Sequence, residues 1–276
     1  EGELEYQRFT PLHRAMHVFM ILSFISLALT GMTLKFSYTT WASVVSHMLG
    51  GFETTGYFHR YAAVIMVAVF ITHLVDLIKR KRRDGTTWMD LVLGPGSMMF
   101  NTRDLRELIG SVKWFLGKGK RPTYGRWTYW EKFDYFAVFW GIFVIGSTGL
   151  MLWFPVFFSR FFPGWFVNVA TIIHSDEALL ATGFIFTIHF FNTHLRPEKF
   201  PMDLVIFTGR MTVDELKHDK PDEYEALVES GKLEEHLVVP YQPIVIRTVR
   251  FFAWTALAMG TLIVLGIVYA MLFAYQ

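Results

Sequence analysis

Apolar residues in this chain gather into long runs separated by shorter polar connections, and five of the runs are long enough to cross about 30 Å of hydrocarbon. They cover roughly residues 15–36, 57–78, 133–154, 167–195 and 249–275. A lone segment in lipid satisfies its own backbone groups only as a helix, so each run predicts a transmembrane helix. Aromatic residues stand at several run ends, among them Trp41, Tyr57, Trp127, Tyr129, Trp130, Trp153 and Trp165, as an interfacial belt requires. The connections also carry pattern. Over residues 101–116, Leu105, Leu108, Ile109, Val112, Phe115 and Leu116 recur at helical spacing, which suits either a helix lying on the membrane or one packed on protein. Residues 202–239 read as two short polar helices, with Thr212 and Glu215 spaced as a capping box and Pro221 as a helix start. Pro240 and Pro243 break the chain before the last run, and Gly94-Pro95-Gly96 reads as a turn. The expected class is an all-α integral membrane protein. A four-helix transmembrane bundle covers residues 1–200 and includes an amphipathic segment at about 84–130; a helical segment covers 201–247, and a fifth, C-terminal transmembrane helix covers 248–276.

Composition agrees: 53% of the 276 residues are hydrophobic and mean hydropathy is +0.33, too apolar for a soluble domain of this size. A net charge of +2 gives no reason to expect nucleic acid as a partner, but the distribution of charge is informative. Lys79, Arg80, Lys81, Arg82 and Arg83 open the connection after the second span, and Arg103, Arg106, Lys113, Lys118, Lys120, Arg121 and Arg126 follow. The loops after spans one and three hold almost no basic residue beyond Arg160. The positive-inside rule then predicts a multi-pass protein of the bacterial cytoplasmic (inner) membrane, with a cytoplasmic N-terminus and a periplasmic C-terminus. Residues 1–10 are polar and do not read as a signal peptide. Without cysteine, the chain itself holds no thioether-linked haem, iron–sulfur cluster or disulfide.

Histidines supply the candidate chemistry. Ionisable groups are costly in a bilayer and usually mark a path for ions, protons or electrons. His174 and His189 in span four are about 22 Å apart along a helix and about 60° apart around it. Spans two and four run in the same direction, so His59 and His174 share the outer depth, where they can flank one iron. At the inner depth His189 has two candidate partners, His73 in span two and His17 at the start of span one. Facing imidazoles at two depths suit a bundle holding two haems. Arg14, Arg60 and Arg196 stand beside histidines, where they suit haem propionates or anchoring at the interface. Asp176 and Glu177, with Ser175 before them and Glu53 in the neighbouring loop, suit a basic partner, or more simply the dipole of a helix N-terminal region.

With these residues in place, the chain resembles the cytochrome b (gamma) subunit of membrane-bound formate dehydrogenases, related to the cytochrome b subunits of nickel-iron hydrogenases. The similar stretches are AMHVFMILSFISLALTGMTLKF from Ala15, GYFHRYAAVIMVAVF from Gly56, the run from Phe133 through GLMLWFPVFFSRFFPGW into IIHSDEALLATGFIFTIHF, and FTGRMTVDELKHDKPDEYEAL from Phe207. They cover about residues 8–236. The resemblance implies His17 with His189 and His59 with His174 as axial ligands of two b-type haems, and menaquinone or ubiquinone bound near the inner one, beside the segment leading into span three. Glu131 and Lys132 are candidates there, as are His73 and His194. These two histidines are additional to the family pattern and are open to a third haem, a quinone or packing. The family spaces its span-four histidines by fourteen; the spacing of fifteen here predicts a helix bulge or slight rotation. The fifth span lacks histidine and is expected to contact a partner.

The implied function is a membrane-anchoring dihaem cytochrome subunit of a quinone-linked oxidoreductase complex. It would relay electrons between the quinone pool and a periplasmic iron–sulfur or multihaem c-type cytochrome subunit, with no catalytic residue of its own. The alternative is a self-contained cytochrome b that oxidises quinol and reduces a soluble acceptor.

Overall fold

In a computed structural model residues 3–274 are described; the expected end of the fifth span at Tyr275 and the first two residues lie outside the described residues. Five helices are long and apolar enough to cross a membrane. They are α1 (Pro11–Lys35), α3 (Phe52–Asp84), α6 (Tyr129–Trp153), α8 (Phe166–Phe184, continued by π-helical turns at Ile185–His189 and Phe191–Leu195) and α12 (Pro243–Leu272). Shorter helices are α2 (Thr40–Met48), α4 (Trp88–Leu93), α5 (Thr102–Phe115), α7 (Pro155–Phe158), α9 (Val205–Thr208), α10 (Val213–Asp219) and α11 (Pro221–Glu229). The chain is thus a mostly helical, multi-pass membrane protein, and its outward apolar side chains, such as Phe19, Val64, Phe143 and Phe251, contact lipid.

Several helices overrun their apolar runs for physical reasons. α3 continues through Lys79–Arg83, good helix formers whose charge complements the dipole at its C-terminal end. α12 starts at Pro243, a residue suited to a first turn. Helix α8 starts early enough to overturn the dipole reading of Asp176 and Glu177. It begins at Phe166, so both acids are mid-helix, beyond the reach of the terminal partial charges. Lys35 Nζ instead lies 3.2 Å from Asp176 Oδ1 and 2.8 Å from Ser175 Oγ, and Trp140 Nε1 donates to Glu177 at 3.3 Å. The predicted bulge in span four is present as a π-helical turn at Ile185–His189, between His174 and the end of the interval at His189, and a second π-helical turn follows at Phe191–Leu195.

The chain divides into two compact units. The first comprises residues up to Ala15, His73–Phe136 and Leu204–Arg250. It contains a small antiparallel sheet that the all-helical expectation lacked: β1 (Glu5–Gln7) lies between β2 (Arg210–Thr212) and β3 (Leu237–Val238), with Tyr6 opposite Met211 and Leu237. Tyr6, Phe9, Val205, Met211 and Leu216 form its core. Thr212 accepts from Glu215 N at the start of α10, and Pro221 opens α11, both as predicted. Buried ion pairs bind the segments together. Glu131 receives Lys220 at 2.6 Å and Arg8 at 3.4 Å, Lys132 lies 2.9 Å from Asp104, and Arg126 lies 2.7 Å from Glu223. Burial pushes the Lys220 ammonium down to about 8, against the opposing pull of Glu131.

Helix α5 is inside out by the standard of a soluble protein. Its polar residues Asp104, Glu107 and Ser111 are only 3–6% exposed, whereas Leu105 is 60% exposed, Val112 50% and Phe115 76%. The apolar stripe is therefore not packed on the described protein.

The second unit comprises Met16–Thr72, Ala137–Asp203 and the residues from Phe251 onward. Ala28 and Met32 of α1, and Phe36 just beyond its end, pack with Phe186 and with Ile263, Ile267 and Ala270 of α12. A Cβ at Gly260 would come within 2.5 Å of Phe186 Cδ1, so glycine sets this close approach. The fifth span therefore has one face within the chain.

Candidate functional site: a cradled pair of histidines

His59 of α3 and His174 of α8 face each other with ring centroids 6.2 Å apart and planes inclined by 79°. A neighbouring helix orients each ring. Thr30 Oγ1 of α1 donates to the Ser26 carbonyl at 2.6 Å, as a membrane-buried threonine commonly does, so its oxygen accepts from His59 Nδ1 at 2.8 Å. On the other side, Thr148 Oγ1 of α6 donates to the Val144 carbonyl at 2.7 Å, and His174 Nδ1 donates to the Ile145 carbonyl at 2.9 Å with Thr148 Oγ1 at 3.3 Å. Both protons are therefore held on Nδ1, and both Nε2 atoms keep their lone pairs.

The glycine after each threonine makes room for the ring. A Cβ at Gly31 would be 3.1 Å from His59 Cε1, and one at Gly149 would be 2.9 Å from His174 Cε1. Among the described residues no three His, Asp or Glu side chains converge as a bare ion site requires. A haem brings four nitrogens of its own and needs only two axial ligands. Two metal–nitrogen bonds of about 2 Å, directed along the rings, separate imidazole centres by about 6 Å, which matches the observed pair. The residues fit haem iron.

No protein family matches this chain, and no curated protein does.

His17, His189 and His194 form a second group: His17 is within electrostatic range of both others, and His194 of His189. The ring of Phe190 lies 6.5 Å from that of His189 and 6.2 Å from that of His194. His194, additional to the expected ligands, is thus brought to this group. His73 belongs to the first unit, where its Nε2 lies 2.7 Å from Tyr135 Oη. Nearby on α3, Asp76 Oδ2 accepts from Arg80 Nε at 2.8 Å and lies 3.2 Å from His13 Nε2.

The charged candidates have protein partners. Arg14 donates to the Phe207 carbonyl and to Tyr241 Oη, both at 2.9 Å. Arg60 lies 5.6 Å from the Tyr57 ring centre and 5.7 Å from that of Trp153, as an interfacial anchor would. Arg196 approaches Glu198 at 3.9 Å. Glu131 and Lys132 stand in the buried ion pairs of the first unit.

Sequence reasoning missed Thr30, Gly31, Thr148 and Gly149. A signal was available, because TGMTLKF at 30–36 recurs as TGLMLWF at 148–154.

Proposed function

We propose that the chain is a membrane-anchoring dihaem b-type cytochrome subunit, which relays electrons across a bacterial cytoplasmic membrane between a quinone pool and an electron-transfer partner on the opposite face. The observation that carries this reading is the pairing of His59 and His174 at 6.2 Å between ring centres, each held at Nδ1 by a neighbouring helix. Bound haem supplies one-electron transfer at each of two depths. The protein's own task is to bind and orient. Thr30, Thr148 and Ile145 hold the imidazoles, while Gly31 and Gly149 leave them space. His17 and His189 take the corresponding roles at the other depth, with His194 beside them. Iron–sulfur or thioether-linked haem centres belong to the partner, since this chain has no cysteine to hold them.

The test is the haem-to-protein ratio of the purified chain by pyridine haemochrome, with His174→Ala and His17→Ala beside the wild type. The expected ratio is about two, falling by one in either variant. A wild-type ratio of zero would overturn the proposal.

A further inference from the structure

The torsion that turns an imidazole about its Cβ–Cγ bond has only broad preferences of its own, so contacts decide where the ring stops. In the His59–His174 pair two contacts stop each ring. Thr30 Oγ1 meets His59 Nδ1 at 2.8 Å, and a Cβ at Gly31 would lie 3.1 Å from Cε1 of the same ring. At His174 the Ile145 carbonyl accepts from Nδ1 at 2.9 Å, Thr148 Oγ1 stands 3.3 Å from the same nitrogen, and a Cβ at Gly149 would lie 2.9 Å from Cε1. One contact anchors a ring nitrogen and the other closes a ring edge against bare backbone, so the helix beside each ring sets its rotation.

The two clamps are one device written twice. Leu27, Thr30 and Gly31 of α1 recur at identical spacing as Ile145, Thr148 and Gly149 of α6. Each threonine spends its hydrogen on its own helix. Thr30 Oγ1 lies 2.6 Å from the Ser26 carbonyl and 3.3 Å from that of Leu27, and Thr148 Oγ1 lies 2.7 Å from the Val144 carbonyl and 3.2 Å from that of Ile145. The oxygen that each presents to a ring is thus tied to backbone. Like clamps nevertheless deliver unlike orientations, because the planes of the two rings are inclined by 79°, close to perpendicular.

That angle has a chemical consequence. An axial imidazole donates π density perpendicular to its own plane. Parallel rings raise one of the two iron dπ orbitals that meet them, whereas crossed rings raise one each and leave the two close in energy. Orientation and hydrogen bonding of the ligands are levers by which a protein tunes haem iron. We propose that Thr30 and Thr148 are positioning residues that hold His59 and His174 crossed and so set the electronic state and reduction potential of the haem iron which the pair ligates; this rests on the relay reading above. Thr30 carries the larger share, since its oxygen is the nearer of the two to its ring and His174 keeps the Ile145 carbonyl.

The test is electron paramagnetic resonance of the oxidised, haem-loaded full chain, with the signal lost in His174→Ala taken as that of this haem. The expected signal in wild type and in Thr30→Ser is a single, strongly anisotropic low-spin line at large g. In Thr30→Val it moves toward the rhombic triplet of parallel ligands, with a smaller shift in Thr148→Val and a wild-type haem ratio in all three variants. The midpoint potential read by redox titration shifts in the same order. A rhombic triplet in wild type, or an unchanged line in Thr30→Val with its haem intact, overturns the role and leaves the relay standing. If Thr30→Val sheds its haem, Thr148→Val decides, and an unshifted line there overturns the role as well. Wild-type chain without haem is failure of the relay reading itself.

Discussion

An imidazole ligates through a lone pair, so whatever fixes its proton decides which nitrogen is available. Here a carbonyl or a hydroxyl whose own hydrogen is committed elsewhere fixes that proton on Nδ1 of His59 and His174. The histidines were legible from their spacing and depth. Their cradle was not, because a threonine looks alike whether it bonds its own helix or also receives a ring from the next. Gly149→Ala places a methyl 2.9 Å from His174 Cε1 and is expected to cost about 1–3 kcal/mol. Gly146→Ala on the same helix meets nothing within 4 Å and is expected to be neutral or slightly stabilising. Thermal unfolding followed by circular dichroism compares the two; equal effects would remove the cradle argument.

Apolar spacing at the scale of elements predicts a helix without saying what its stripe faces. The stripe of α5 is turned outward, and its polar edge is buried on Lys132, Arg103 and Tyr124. The segment joins the ends of two spanning helices at which basic residues cluster, a setting that favours the lipid interface. The chain's lack of cysteine permits single spin labels. Labels at Leu105 and Val112 in nanodiscs of anionic lipid should be accessible to oxygen and shielded from a water-soluble nickel chelate, with the reverse at Thr102; chelate access at all three would place the helix in water. The π-helical turn at Ile185–His189 illustrates the opposite case, since a spacing one residue wider than that of the resembled family predicts a bulge or a slight rotation there. The three strands are two or three residues each, too short for alternation to show, and β1 pairs with segments some two hundred positions away.

Across the whole molecule, buried charges join stretches far apart in the chain. Arg8, Glu131 and Lys220 meet in one group, beside the Arg126–Glu223 pair. Lys220 has a folded pKa of about 8, below its ordinary 10.5, chiefly through burial. Between those values the unfolded chain holds a proton that the folded chain has shed, so this residue's contribution to stability rises with pH across that window. Wild type should therefore gain in Tm relative to Lys220→Met as pH is raised from about 7.5 to about 9.5. A constant difference between them would show that Lys220 remains charged throughout.

The sequence by itself determined the number of long apolar helices and roughly where they lie, because twenty-residue apolar runs have few other solutions, and it paired His59 with His174, because helix rise is constant. It also contained the bulge in span four. The tertiary structure decided what no periodicity encodes: that the rings of His59 and His174 stand 6.2 Å apart, that Thr30 and Thr148 meet them at Nδ1, that α5 turns its apolar side outward, and that Glu131 and Lys132 are spent on ion pairs. Each depends on contacts between residues distant in the chain. Such contacts are settled by how helices rotate and pack against one another, and the local order of residues leaves that rotation open.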